Sequence, residues 1–247
     1  MNEFDERLPQ LAVPVVLLLA LGFVATPVGG FFALFVDMPF HELGHAFASW
    51  LGARVALPLP FFTFWQEEQS WMVGLLVLAL WGFVGFTSWQ QERYAGLALA
   101  SILTLATLTL WWFVPAPTSA MWQILGGPLG PLVLPAIPLA LFPFRLHEEL
   151  RWDFWRFLVL FPATLAFANA ALLYARAVDD PSLLPWGSAL GDSSDGDLNR
   201  LVANYGWTGD ELARFGRSVS RWLLLVILGC SAGAWLRGWL ERQAELD

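Results

Sequence analysis

Long apolar runs separated by short polar turns make up most of the chain. A membrane-spanning helix needs about 20 mostly apolar residues. Five stretches reach that length: residues 71–89, 94–114, 121–144, 154–176 and 222–240. The first 51 residues hold more apolar sequence than one span uses and divide into 11–28 and 29–51. Either 11–35 is one span followed by a re-entrant helix, or the region crosses twice. The pattern predicts an all-α, polytopic integral membrane protein of about six or seven segments, forming a single domain over 1–247. Stretch 121–144 differs from the rest, because Gly126, Gly127, Pro128, Gly130, Pro131, Pro135 and Pro138 follow closely. A broken segment is expected there, which at membrane depth must be buried in protein or line a cavity.

The one substantial polar piece is 178–218, with Asp179, Asp180, Asp192, Asp195, Asp197, Asp210 and Glu211. Gly191 to Gly196 reads as a loop of turn formers. Asp197 is expected to N-cap a short helix over 198–205 that Gly206 stops.

Composition removes the main alternatives. Hydrophobic residues make up 57% and charged residues 14%, against about 25% charged in an ordinary soluble domain. A water-soluble globule is excluded, and so is a disordered chain, which needs low hydrophobicity and high charge. The net charge of -8 argues against a nucleic-acid partner held through phosphates. The single cysteine, Cys230, allows no intrachain disulfide. The N-terminal apolar run follows Glu3, Asp5 and Glu6, with Phe23 where a cleavage site would want a small residue, so it reads as an uncleaved membrane segment.

Arginine placement sets the orientation. Arg93, Arg145, Arg151 and the tail carrying Arg237 and Arg242 share one side, while the turn 115–119 has no Arg. The C-terminus is therefore expected in the cytoplasm, with 178–218 on the non-cytoplasmic side of a plasma or inner membrane. Trp111, Trp112, Trp122 and Trp222 would line the outer belt, and Trp89, Trp152, Trp155, Trp235 and Trp239 the inner one.

The chemistry concentrates in His41-Glu42-Leu43-Gly44-His45. On a helix, positions i and i+4 share a face, so both imidazoles can reach one tetrahedral Zn²⁺. Glu42 projects beside them, where it can take a proton from the attacking water and deliver it to a leaving amine. Ionisable residues inside a membrane segment are costly and mark a functional site by default.

The run from Val36 to Ala48, Val-Asp-Met-Pro-Phe-His-Glu-Leu-Gly-His-Ala-Phe-Ala, closed by Leu51-Gly52, resembles the zinc helix of the site-2 protease family of intramembrane metalloproteases. Leu125-Gly126-Gly127-Pro128-Leu129-Gly130-Pro131 is similar to the Gly-rich segment of such chains, which implies a place beside the active site. The family's usual third zinc ligand lies in a Leu-Asp-Gly motif, and this chain has none. Asp197-Leu198-Asn199-Arg200-Leu201 resembles the short acidic motif of some distant relatives. Asp197 therefore leads as third ligand, then Asp195, with Asp192 and Glu67 as further alternatives.

The resemblance implies a zinc endopeptidase cutting membrane-associated protein or peptide substrates. The competing reading is a non-proteolytic membrane protein with a structural metal or a small-ligand site at the same residues. A structural zinc closes with four protein ligands, whereas a catalytic one keeps three. Elsewhere, Glu67 and Glu68 read as a solvated pair, and His147, Glu148 and Glu149 as an interfacial anchor on the cytoplasmic side. Asn169, mid-span, needs a partner and reads as part of a helix–helix hydrogen bond, the commoner fate, or as a group that orients a substrate backbone. Cys230 has no neighbour to activate it.

Overall fold

The computed structural model describes residues 12–144, 152–187 and 196–244. Among the described residues there are eight α-helices: α1 (Ala12–Val24), α2 (Pro27–Leu51), α3 (Trp71–Gln90), α4 (Tyr94–Leu108), α5 (Ala116–Leu141), α6 (Trp152–Ala177), α7 (Asp197–Tyr205) and α8 (Gly209–Ala244). A π-helical turn, Thr109–Phe113, extends α4. Among the described residues, five helices are long and apolar enough to cross a membrane, or six if the bent pair α1–α2 counts as one. That number meets the lower end of the six or seven expected. Their outward side chains are apolar: Leu18, Phe31, Leu75, Phe83, Leu105 and Phe161 are each more than half exposed. A surface of this kind belongs in lipid.

α1 and α2 meet at a bend of 113°. Thr26 makes it a corner: its hydroxyl donates to the Phe23 carbonyl and accepts from the Gly29 N–H, capping α2, while Pro27 starts that helix. Residues 12–35 are therefore not one straight span. The 13 residues of α1 reach only about 20 Å.

The expected break in the Gly/Pro segment is absent, and α5 runs continuously through Pro128, Pro131, Pro135 and Pro138. These prolines recur at intervals of three and four, so they fall on one side of the helix and leave the rest of its ladder intact. The glycines face α2 instead. A Cβ built on Gly44 would strike the Gly126 carbonyl, and one on Gly130 the Phe40 carbonyl. Small residues here let two backbones touch, as in close packing between membrane helices. α5 is accordingly the central helix: 61% of its most apolar stretch is buried, against 11% of that of α3.

One element lies outside the all-α expectation. β1 (Arg54–Leu59) and β2 (Phe62–Gln69) form an antiparallel hairpin directly after α2, with Ala56 opposite Trp65 and Pro58 opposite Thr63. Arg54, 1% exposed, fixes it to the molecule. Its guanidinium donates to the Glu67 carbonyl (2.8 Å), the Ser119 hydroxyl (2.6 Å) and the Ala116 carbonyl (3.2 Å), joining the hairpin to the first turn of α5.

α7 and α8 also depart from the expected boundaries. Gly196 is the N-cap of α7, so Asp197 is the first helical residue and not the cap; Gly206, at φ 72°, ends the helix as expected. Leu198 and Leu201 are buried in the same core as Leu125, Leu129 and Leu132 of α5. α8 starts well before residue 222. Thr208 and Glu211 cap it reciprocally, the Thr208 N–H donating to the Glu211 carboxylate and the Glu211 N–H to the Thr208 hydroxyl.

Candidate metal centre

α2 sets the two imidazoles one turn apart on the same face, with ring centroids 4.9 Å apart and planes at 82°. Both Nε2 atoms point at one oxygen. Asp197 Oδ2 lies 2.9 Å from His41 Nε2 and 3.0 Å from His45 Nε2. Asp197 arrives from α7, about 150 positions later, aimed by the burial of Leu198 and Leu201 beneath it. Its carboxylate is engaged by the histidines and makes no cap for its own helix. Burial works against its ionisation, but the hydrogen bonds and charges of His41 and His45 outweigh this and hold the carboxyl below the usual range.

The donor set fits a metal ion. Ligand atoms of His41, His45 and Asp197 all lie within 4.8 Å of one another, and the group could hold a metal. His45 is oriented for it: Nδ1–H donates to the Gln123 carbonyl at 2.9 Å, which turns Nε2 toward the shared point. Gly127 of α5 completes the fit, because a Cβ there would overlap Nε2 of His45 and crowd Nε2 of His41. The Gly-rich segment thus lies directly against the histidines.

Glu42 lines the same cavity, of about 500 Å³, as His41, His45 and Asp197. It is buried, and its Oε2 accepts from the Thr63 hydroxyl of β2 at 2.8 Å, a hydroxyl also 2.7 Å from the Glu42 carbonyl. Trp65, two residues on and on the same side of the strand, lies against His45 with centroids 4.9 Å apart. The Arg200 guanidinium of α7 sits 5.8 Å from the Trp65 ring centre. The hairpin thereby touches both the Glu42 carboxylate and one imidazole.

No family model, curated protein or solved structure matches the chain. Function is therefore read from the chemistry of the site itself.

The other sequence candidates separate from it. Glu67 and Glu68 are exposed on β2, and Glu67 is not part of the His41–His45–Asp197 group. Asp192, Asp195, His147, Glu148 and Glu149 lie outside the described residues. Cys230 is half-buried in α8. Asn169 donates across helices as expected, and its acceptor is Asp37 of α2 at 2.6 Å.

Sequence reasoning missed Thr63, Trp65, Gln123 and Asp37. Asp37 alone gave a signal, as an ionisable residue in an apolar run. Gln123 acts through its carbonyl, which any residue type supplies.

Proposed function

We propose that the chain is an intramembrane zinc metalloprotease, related to the site-2 proteases, that hydrolyses peptide bonds of membrane-associated substrates. The convergence of His41, His45 and Asp197 on one point, with Glu42 lining the same cavity, carries this reading. Two imidazoles and one carboxylate are a donor set typical of catalytic zinc. These three residues would hold the ion, and zinc there would supply Lewis acidity toward water and the scissile carbonyl.

Glu42 accepts a proton from the attacking water and returns it to the leaving amine. Thr63 steadies one of its oxygens through Oε2, leaving Oε1 to carry the proton. Phe61, Phe62 and Trp65 give the cavity an apolar wall against which a substrate can lie as water is displaced. The structural-metal reading asks for a fourth protein ligand, and among the described residues the group has three. Such a site also has no use for Glu42.

Metal analysis of the purified protein tests this. Wild type should carry about one zinc per chain, and His45→Ala should lose it. Wild type without zinc overturns the proposal.

A further inference from the structure

The two histidines are not equally held. His45 has both ring nitrogens committed, Nε2 to Asp197 and Nδ1 to the Gln123 carbonyl. His41 has Nε2 on Asp197, while its Nδ1 has no hydrogen-bond partner among the described residues. One turn earlier on α2, Asp37 shows the complementary gap. Its Oδ2 accepts from Asn169 Nδ2 at 2.6 Å, and its Oδ1 is buried with no donor. An acceptor withdrawn from water and left unmatched is costly and asks for an explanation.

Both side chains line a second cavity, of about 630 Å³, between the α1–α2 corner and α6. Its walls include the apolar Leu34, Leu172 and Leu173. Of the other donors that line it, Thr26 gives its hydroxyl to the Phe23 carbonyl, Tyr174 gives its own to the Pro128 carbonyl, and Arg176 makes no ion pair with Asp37. Residues 37 and 41 share a helix face, and helical side chains lean toward the N-terminus, so the His41 ring inclines over the turn that carries Asp37. The bond between them is not made in the structure. The torsions that would close it, χ2 of Asp37 and of His41, are broad and two-fold and turn at low cost.

We propose that Asp37 is the positioning residue of His41: its Oδ1 accepts the His41 Nδ1–H and fixes the tautomer that leaves the Nε2 lone pair for the metal that His41 and Asp197 would share. It does for His41 what the Gln123 carbonyl does for His45. Metal-ligating histidines almost always donate their second N–H to a carboxylate or carbonyl, and loss of that partner weakens metal affinity 10- to 100-fold. Asn169 holds the other carboxylate oxygen, so the relay Asn169–Asp37–His41 couples α6 to the site. The inference rests on the metal-site half of the proposed function and is independent of proteolysis.

The test is zinc affinity, measured by chelator competition on the purified full chain, with melting of the metal-free protein as the control for folding. Asp37→Leu should bind zinc about 10- to 100-fold more weakly and melt like wild type without metal. Asp37→Asn keeps an acceptor and should recover the greater part of that affinity, and Asn169→Leu should show a smaller loss in the same direction. The absorption spectrum of the Co²⁺-loaded protein should change in Asp37→Leu and return toward wild type in Asp37→Asn.

Wild-type affinity in Asp37→Leu overturns the role of Asp37 and leaves the metal reading standing. If Asp37→Leu does not fold, Asp37→Asn and Asn169→Leu decide: wild-type affinity in Asn169→Leu, or no difference in the Co²⁺ spectrum of either, overturns it as well. A wild type that binds no zinc overturns the metal reading and this inference together.

Discussion

At the scale of single residues, the proposed roles predict that Glu42 separates metal binding from turnover. It is not one of the three converging ligands, so Glu42→Gln should keep its zinc while peptide hydrolysis falls about 10²-fold or more. A variant that cleaves at the wild-type rate would remove Glu42 from the proton transfer. Thr63→Val preserves the shape of the strand and deletes only the hydroxyl on Oε2. Its kcat should fall by less than that of Glu42→Gln, with zinc content unchanged; a loss of zinc instead would make Thr63 a support of the metal site.

The contrast between these two residues explains what the sequence could reveal. His41, Glu42 and His45 announce themselves because helical periodicity converts their spacing into a shared face. Asp197 was reachable only through a resemblance and the sidedness of the chain. Thr63 and Trp65 depend on a strand pairing that brings them back over α2, which no local spacing encodes.

Among the elements, the α2–α5 contact shapes the centre, and glycine decides how close it comes. Gly127→Ala would push a methyl into the space of His45 Nε2, so the imidazoles must turn and zinc affinity should drop. Gly82→Ala on α3 is the matched control, since nothing lies within 4 Å of its Cβ position. There the change should be neutral, or stabilise the helix by roughly 0.5–1 kcal/mol. Chelator competition and melting curves on both proteins check the pair; equal zinc affinity in Gly127→Ala and wild type would show that α5 does not confine the rings.

The misjudged elements have physical causes. Proline density suggested a broken α5, but prolines confined to one side of a helix held between α2 and α6 do not interrupt it. The hairpin escaped notice because outward residues such as Phe62 and Phe64 are apolar too, so the alternation that marks a half-buried strand is missing. The five long apolar helices were legible because a run of about 20 apolar residues has few other fates.

For the whole molecule, the remaining question is which way the site faces. The hairpin that carries Thr63 and Trp65 runs straight into α3 at Trp71, so the centre lies near the end of the molecule where α3 begins. Trp71 packs there against Trp111 and Trp112 of the π-helical turn, with centroids 4.9 and 6.2 Å away, an aromatic cluster suited to the membrane interface. The opposite end of the α3–α4 pair is the turn holding Arg93. If arginine marks the cytoplasm, then the metal centre, α7 and the start of α8 face the other way.

The 36 residues of α8 span about 54 Å, well beyond the roughly 30 Å of hydrocarbon, so a helix crossing the bilayer is expected to project beyond it, and its ends are the places to label. In a Cys230→Ala background, Asp210→Cys should react with a membrane-impermeant maleimide in intact cells, whereas Gln243→Cys should react only after permeabilisation. Both positions are exposed, so failure to react reports sidedness and not burial. The reverse pattern would invert the molecule and place the site at the cytoplasmic face. The expected pattern would require a substrate to present its scissile bond near the non-cytoplasmic surface, where Asp197 closes the group from a helix outside the spans.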